Sequence, residues 1–274
     1  MADLKNSALG REVDYPQEYE PSVLFPVPRA DNRQVFGVTE WPHFGFDLWN
    51  AYELSWLNDK GLPQVGMATI EVPAQSPNII ESKSLKLYLN SFNMTRLSGA
   101  EELHNLLVQD LSRVAGAPVT VKLLPVNDYQ TAAALSDDGA GVLLDNQDVA
   151  IDTYDVDASL LSANSDEYRE EMVYSHLLRS NCPVTGQPDW GTLFIAYAGP
   201  ALNHESLLKY ICSFRSHTEF HEHCVERVFM DILALGKYDQ LTVTAKYVRR
   251  GGLDINPCRS LHEHRPDMGR LARQ

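Results

Sequence analysis

Two kinds of hydrophobic spacing alternate along the chain. Phe44, Phe46 and Leu48, then Tyr52, Leu54 and Trp56, fall on even positions, which places them on one face of a strand. Asn58–Gly61 is a turn signal, and Leu62–Pro73 reads as the returning strand of a hairpin. After the break at Ser76-Pro77-Asn78 the period changes. Within Glu81–Phe92, Leu85, Tyr88, Leu89 and Phe92 recur at i, i+3, i+4 and i+7, the apolar stripe of a helix. A second helix runs from Gly99 with Leu103, Leu106, Leu107, Leu111 and Val114 on one face, and Pro118–Val126 reads as a strand.

Residues 130–172 are rich in Ala, Ser, Asp and Gly and read as a connector whose carboxylates face water. Beyond it the same order returns. Val173–Leu178 and Trp190–Ala198 form a second hairpin, followed by a helix with Leu207, Tyr210, Ile211 and Phe214. A helix with Val225, Val228, Phe229, Ile232 and Leu233 comes next, then a strand over Gln240–Val248. At an offset of 122 positions Ser84, Leu85, Tyr88, Ser91 and Phe92 match Ser206, Leu207, Tyr210, Ser213 and Phe214. Helical stripes alone produce some of this agreement, but not the paired Ser-Phe endings. The pattern predicts an α+β protein made by duplication. Modules at 41–129 and 173–274 each have an antiparallel sheet backed by a pair of helices, and residues 1–40 form an irregular arm.

Composition narrows the partners. A formal charge of −14 argues against a nucleic-acid partner, which needs a basic face, while leaving room for a small anion in a local basic pocket. The polar, acidic, proline-broken start does not read as a signal peptide, and no run approaches the ~20 apolar residues that span a bilayer. The expected location is the cytoplasm, and Cys182, Cys212, Cys224 and Cys258, without CxxC spacing, read as thiols there.

The densest chemistry lies in Ser180–Trp190, SNCPVTGQPDW, which must turn at Pro183, Gly186 and Pro188. If its flanks pair, Cys182 and Asp189 face one site as a nucleophile and a proton partner. The same spacing also fits a half-buried thiol beside a turn aspartate. In Phe220–Glu226, FHEHCVE, His221 and Glu222 continue the apolar side of a helix. Glu222 there is either a carboxylate favoured by the helix dipole or an anchor that accepts two parallel N–H bonds from a guanine-like edge. His221, His223, Cys224, His262 and His264 raise the question of zinc. Position 225 is valine, which breaks HExxH, and no tetrahedral set appears at the usual spacing, so no metal is expected. Glu81–Lys86 opens a helix with Ser82, Lys83, Ser84 and Lys86, where amides and ammonium groups suit phosphate. It equally suits a capped helix with lysines in water. Arg249-Arg250-Gly251-Gly252 is a second phosphate candidate or an ordinary charged turn. No GxGxxG follows a strand.

Taken together, ESKSLKLY, SNCPVTGQPDW, SFRSHTEFHEHCVER and YVRRGGLDINP resemble, in order, the bacterial 7-cyano-7-deazaguanine reductases, the nitrile reductases of queuosine biosynthesis. The resemblance runs from about residue 40 to near the end. It is to the long form with two tandem tunnelling-fold modules. It implies Cys182 as nucleophile, Asp189 as proton donor and His221 assisting proton delivery or holding an imine. It also implies Ile80, Glu81, Ser82, His221 and Glu222 around the deazaguanine base, with Ser82, Lys83, Arg250 and Gly251 contacting NADPH. The chemistry that the resemblance implies needs no metal, and a homodimer is expected with it. Two other classes share the carboxylate anchor. A pterin or purine hydrolase or cyclohydrolase of this fold would add a zinc set, and a non-catalytic purine-binding protein would have no use for Cys182 and Asp189.

Overall fold

The structure, a computed structural model, describes residues 16–126, 141–183 and 185–274. The chain divides into two compact units. The first is Met1–Pro42, Phe46–Ala134 and Arg249–Ile255, and the second is His43–Gly45, Leu135–Val248 and Asn256–Gln274.

The first unit begins with β1 (Pro26–Pro28) and α1 (Ala30–Arg33), followed by the hairpin β2 (Phe44–Leu57) and β3 (Pro63–Pro73). Then come β4 (Asn78–Ile80), α2 (Ser82–Asn90), α3 (Ala100–Ala115) and β5 (Thr120–Leu124). β2 pairs antiparallel with β3, and β3 with β5. The apolar faces of the helices close on the sheet, with Trp49, Leu54 and Ile70 meeting Leu85, Tyr88, Phe92, Leu107 and Leu111 in one core. Each helix starts and stops for a local reason. The Glu81 carboxylate caps α2, acidic Glu101 and Glu102 stand in the first turn of α3, and Gly116 ends α3 at φ +72°.

The described part of the expected irregular arm, residues 16–40, is tied to this unit. β1 pairs with β4 through Val27 and Ile79, and buried Arg29 bonds Asp47 Oδ2 at 2.5 Å and Ser76 Oγ at 3.1 Å. Three-residue strands and a buried arginine carry no hydrophobic period, which is why spacing did not reveal them.

The second unit holds β6 (Val142–Leu143), β7 (Ala163–Ser175), β8 (Arg179–Asn181), β9 (Pro188–Leu202), α4 (His204–Ser213), α5 (His221–Leu233) and β10 (Gln240–Tyr247). It also takes most of β11 (Leu253–Ser260). β9 is the long central strand, antiparallel to β10 on one side and to β7 and β8 on the other. β6 adds to β7 in parallel. The strand expected to open at Val173 starts ten residues earlier, inside the expected connector. Its first half, Asn-Ser-Asp-Glu-Tyr-Arg-Glu, is largely exposed, so no apolar alternation marks it. The expected connector residues 130–140 lie outside the described residues. Each unit thus has a mainly antiparallel sheet and a helix pair, the predicted α+β tandem. Among the described residues no helix is long and apolar enough to cross a membrane.

Candidate functional site

The Cys182 loop is the turn of a true hairpin. Asn181 pairs with Pro188, Ser180 with Asp189 and Arg179 with Trp190. The ladder runs one step further, with Cys182 N–H donating to Gln187 O at 2.9 Å, before Gly186 turns the chain at φ +64°. Directly opposed residues of an antiparallel pair point to the same side, as do residues two apart. Ser180, Cys182 and Asp189 therefore share one face. Cys182 is half-buried and Asp189 is buried.

The start of α5 is clipped to this hairpin. Asn181 N–H donates to His217 O at 2.7 Å, and Glu219 N–H donates back to Asn181 O at 3.2 Å. Two residues on, His221 opens the helix with its Nε2 3.5 Å from Asp189 Oδ2. Glu222 follows in the first turn and is buried at 2% exposure. The helix N-terminus favours a carboxylate there electrostatically, which offsets part of its desolvation. Nearby Glu219 accepts from His217 at 2.8 Å and faces His223 and Arg227. Burial alone would raise its pKa, but these partners hold the carboxyl below the usual range.

The four thiols are not equivalent. Burial pushes the Cys224 thiol far up and the Cys212 thiol up as well, and Cys258 is fully buried. A thiol reacts as thiolate, so burial removes these three from consideration as nucleophile. Cys182 is left, with a carboxyl group on its own face.

The residues expected at positions 80–83 lie in the first unit. Glu81 accepts from the Lys83 amide at 2.6 Å with one oxygen and from the Ser84 amide at 2.7 Å with the other. Two of the amides expected to cradle phosphate are therefore already taken by the chain's own carboxylate. Burial raises the Glu81 pKa, opposed by these two bonds and by Lys86. Ile80 is buried, and Ser82 Oγ lies 3.5 Å from Glu81 Oε1.

Lys83 and Lys86 stand one turn apart on α2, and Lys86 packs over the Gly251-Gly252 turn. A Cβ on Gly251 would sit 3.2 Å from Lys86 Cδ, and one on Gly252 only 2.5 Å from Glu53 Cδ. Both glycines have positive φ, +57° and +74°, so the sequence needs Gly here twice over. A cleft of about 20 Å³ opens between Glu53, Lys86, Leu89, Asn90 and the two glycines. Arg249 lies 4.1 Å over the Tyr52 ring, next to Arg250. The charged residues lining the cleft are Lys86 and Glu53, and the cleft itself is too small to enclose a phosphate.

Spacing did not single out Ser180, Tyr247 or Asp254. Asp254 accepts from Asn50 Nδ2 at 2.7 Å and Tyr52 Oη at 2.6 Å, which braces the strand behind the glycine turn. Ser180 carried a usable signal, since it stands two residues before Cys182 on a strand.

Comparison with known proteins adds a third line. The family described as "Nitrile reductase, 7-cyano-7-deazaguanine-reductase N-term" matches residues 15–123, and that described as "QueF-like protein" matches 188–266. A protein of Ralstonia nicotianae is 51% identical over 279 residues, covering 100% of both chains. One of Bordetella parapertussis is 52% identical, covering 99% of each, and one of Burkholderia orbicola is 50% identical, covering 98% of this chain and 99% of its own. All three are named NADPH-dependent 7-cyano-7-deazaguanine reductase.

Proposed function

The chain belongs to the NADPH-dependent 7-cyano-7-deazaguanine reductases, and from that premise we propose that it reduces the nitrile of this base to the aminomethyl group through a covalent adduct on Cys182. One observation carries the reading of the site. The hairpin register sets the Cys182 thiol and the Asp189 carboxyl on one face, with His221 3.5 Å from that carboxyl.

A nitrile carbon is a poor electrophile that accepts a soft sulfur. Cys182 Sγ adds to it as Asp189 gives its proton to the nitrogen, forming a C–S bond and a C=N–H thioimide. The thiol proton replaces the one lost from Asp189 by way of His221, so the net step adds S–H across C≡N. Asp189 is placed for this by its burial and by His221 at 3.5 Å. After the first reduction the C–S bond breaks, returning the thiol and leaving an imine for the second. NADPH supplies the hydrides, two per base, when bound. Lys83 and Arg250 would hold its phosphates, Ser82 would contribute a hydroxyl, and Gly251 would let backbone come close. Glu222 accepts the amide and amino N–H groups of the base edge, and both its burial and its place at a helix start support that role. The expected homodimer and cytoplasmic location belong to the same proposal, and light scattering on the purified chain tests the first.

The test is stoichiometry. Two NADPH should be oxidised for each nitrile base converted to the primary amine. No NADPH oxidation in the presence of the base, or release of ammonia from a hydrolysed product, would replace the reductase with the hydrolase class.

A further inference from the structure

The strand that enters each hairpin is clipped at its last residue to the segment that leads into the second helix of its unit. In the second unit Asn181 N–H donates to His217 O at 2.7 Å, and Glu219 N–H donates to Asn181 O at 3.2 Å. In the first unit Leu57 N–H donates to Thr95 O at 2.9 Å, and Leu97 N–H donates to Leu57 O at 2.9 Å. Thr95 and Leu97 precede His217 and Glu219 by the same 122 positions that relate the first helices. The backbone clip is thus duplicated, but its side chains are not. Leu97 is 3% exposed and belongs to the apolar core. Its counterpart Glu219 is a carboxylate with 13% of its side chain exposed. It accepts from His217 Nε2 at 2.8 Å and stands 3.7 Å from His223 Nδ1 and 3.6 Å from Arg227 Nη2. His223 and Arg227 follow one and two turns along α5. The leucine copy shows that the clip holds without charge, and an apolar residue in place of a paired buried charge is often neutral or stabilising. The charge in the thiol-bearing copy therefore asks for a reason other than stability.

We infer that Glu219 is a positioning residue for the reaction: it keys the Cys182 hairpin to the start of α5, setting the thiol against the base that Glu222 holds. The inference rests on the roles proposed above for Cys182 and Glu222. Glu219 reaches both sides of the joint at once. Its amide bonds the residue next to Cys182, and its carboxylate faces two residues of the helix that opens with His221 and Glu222. The hairpin side is braced further, with Asn181 Nδ2 donating to His217 O at 3.3 Å and Arg179 Nη1 to Arg215 O at 2.6 Å. A leucine packs acceptably at many angles, whereas a carboxylate bonded to an imidazole and facing a second imidazole and a guanidinium resists rotation of the helix. Such a rotation would carry Glu222 away from Cys182 while leaving each group intact, and about 1 Å of misplacement can slow a step about a hundredfold.

The experiment compares wild type, Glu219→Gln and Glu219→Leu, each well below its melting temperature, by three measurements. Adduct formation at saturating nitrile base, followed by intact mass, reports the joint. Calorimetric affinity for guanine, which has the same edge and no nitrile, reports the helix side alone. Alkylation of Cys182 by iodoacetamide reports the hairpin side alone. Glu219→Gln keeps the amide, the size and an acceptor for His217 but loses the charge, and Glu219→Leu installs the side chain of the first unit. Both should form adduct about ten- to a hundredfold more slowly, with guanine affinity and alkylation within about twofold of wild type. Glu219→Gln decides alone if the leucine variant does not fold. Adduct formation at the wild-type rate in a folded variant overturns the inference and leaves the Cys182 reading intact. So does a slower rate matched by an equal loss of guanine affinity or of alkylation, which marks a merely structural role. No adduct in wild type overturns the Cys182 reading first, and this inference with it.

Discussion

The two helix pairs repeat one another down to single hydrogen bonds. In the first unit Tyr88 donates to Asp110 Oδ2 at 2.8 Å and meets Phe92 edge-on at 5.2 Å, and Ser91 Oγ bonds Tyr88 O at 2.6 Å. In the second unit Tyr210 donates to Asp231 Oδ2 at 2.6 Å and meets Phe214 edge-on at 5.3 Å, and Ser213 Oγ bonds Tyr210 O at 2.6 Å. The copies part company where the second helix begins. α3 opens with exposed Glu101 and Glu102, and Glu102 spends its carboxylate on Ser98. α5 opens with His221 and buried Glu222, clipped to a hairpin that carries a thiol. The shared part is scaffold, so chemistry must be sought where the copies differ.

The sharpest way to break this comparison is Asp189→Asn. It should slow adduct formation about 10²–10⁴-fold, the usual worth of a positioned acid, while binding of the base changes little. A pure loss of affinity with an unchanged single-turnover rate would make Asp189 a binding residue instead. Next comes the contrast between helix starts. Glu222→Ala leaves the base's N–H donors unpaired at about 1–3 kcal/mol each, so base affinity should fall by about tenfold or more per donor lost. Glu222→Gln should be intermediate, and Glu102→Ala, the exposed counterpart, should leave base affinity untouched by calorimetry.

The scaffold half of the comparison predicts symmetry. Tyr88→Phe removes a bond to buried Asp110 and Tyr210→Phe one to half-buried Asp231, and each should cost about 1.5–3 kcal/mol in denaturant titrations. Burial first, then the aspartate, raises the pKa of both tyrosines, so both hydroxyls keep their protons and stay donors. A large cost in one copy and none in the other would end the argument from duplication. The smallest effect expected is on the cofactor. Lys83→Ala or Arg250→Ala should raise the Michaelis constant for NADPH about two- to fivefold, the range of exposed charge contacts, and less at high salt. Unchanged constants in both variants would place the cofactor elsewhere.

What could be read from the sequence follows from what periodicity measures. The helices, the first hairpin and β10 each bury one apolar stripe, and their expected spans agree with the observed ones within a few residues, whereas the expected partner strand Val173–Leu178 stays in β7 only to Ser175 and stops just before β8. β11 was missed because its Leu-Asp-Ile-Asn-Pro-Cys-Arg-Ser buries charge. Arg259 is bonded to Glu226 at 2.9 Å, Asn256 to Gln274 at 2.7 Å, and Asp254 to Asn50 and Tyr52. A strand whose inward residues are satisfied polar groups has no hydrophobic signature to find. At the site, Cys182, Asp189, His221 and Glu222 were legible because a hairpin turn and a helix start have sequence rules. Tyr247 was not, since its place under His221 depends on strand register and on the gap left by Gly191.

The central claim is that Cys182 is the nucleophile, and intact mass after mixing with the nitrile base, without NADPH, tests it most directly. Wild type should gain the full mass of the base, with the label mapped to the peptide that carries Cys182. Cys182→Ala should gain nothing and melt where wild type melts, because a half-buried loop thiol contributes little to packing. An adduct on Cys212, Cys224 or Cys258, or undiminished turnover in Cys182→Ala, would contradict the account.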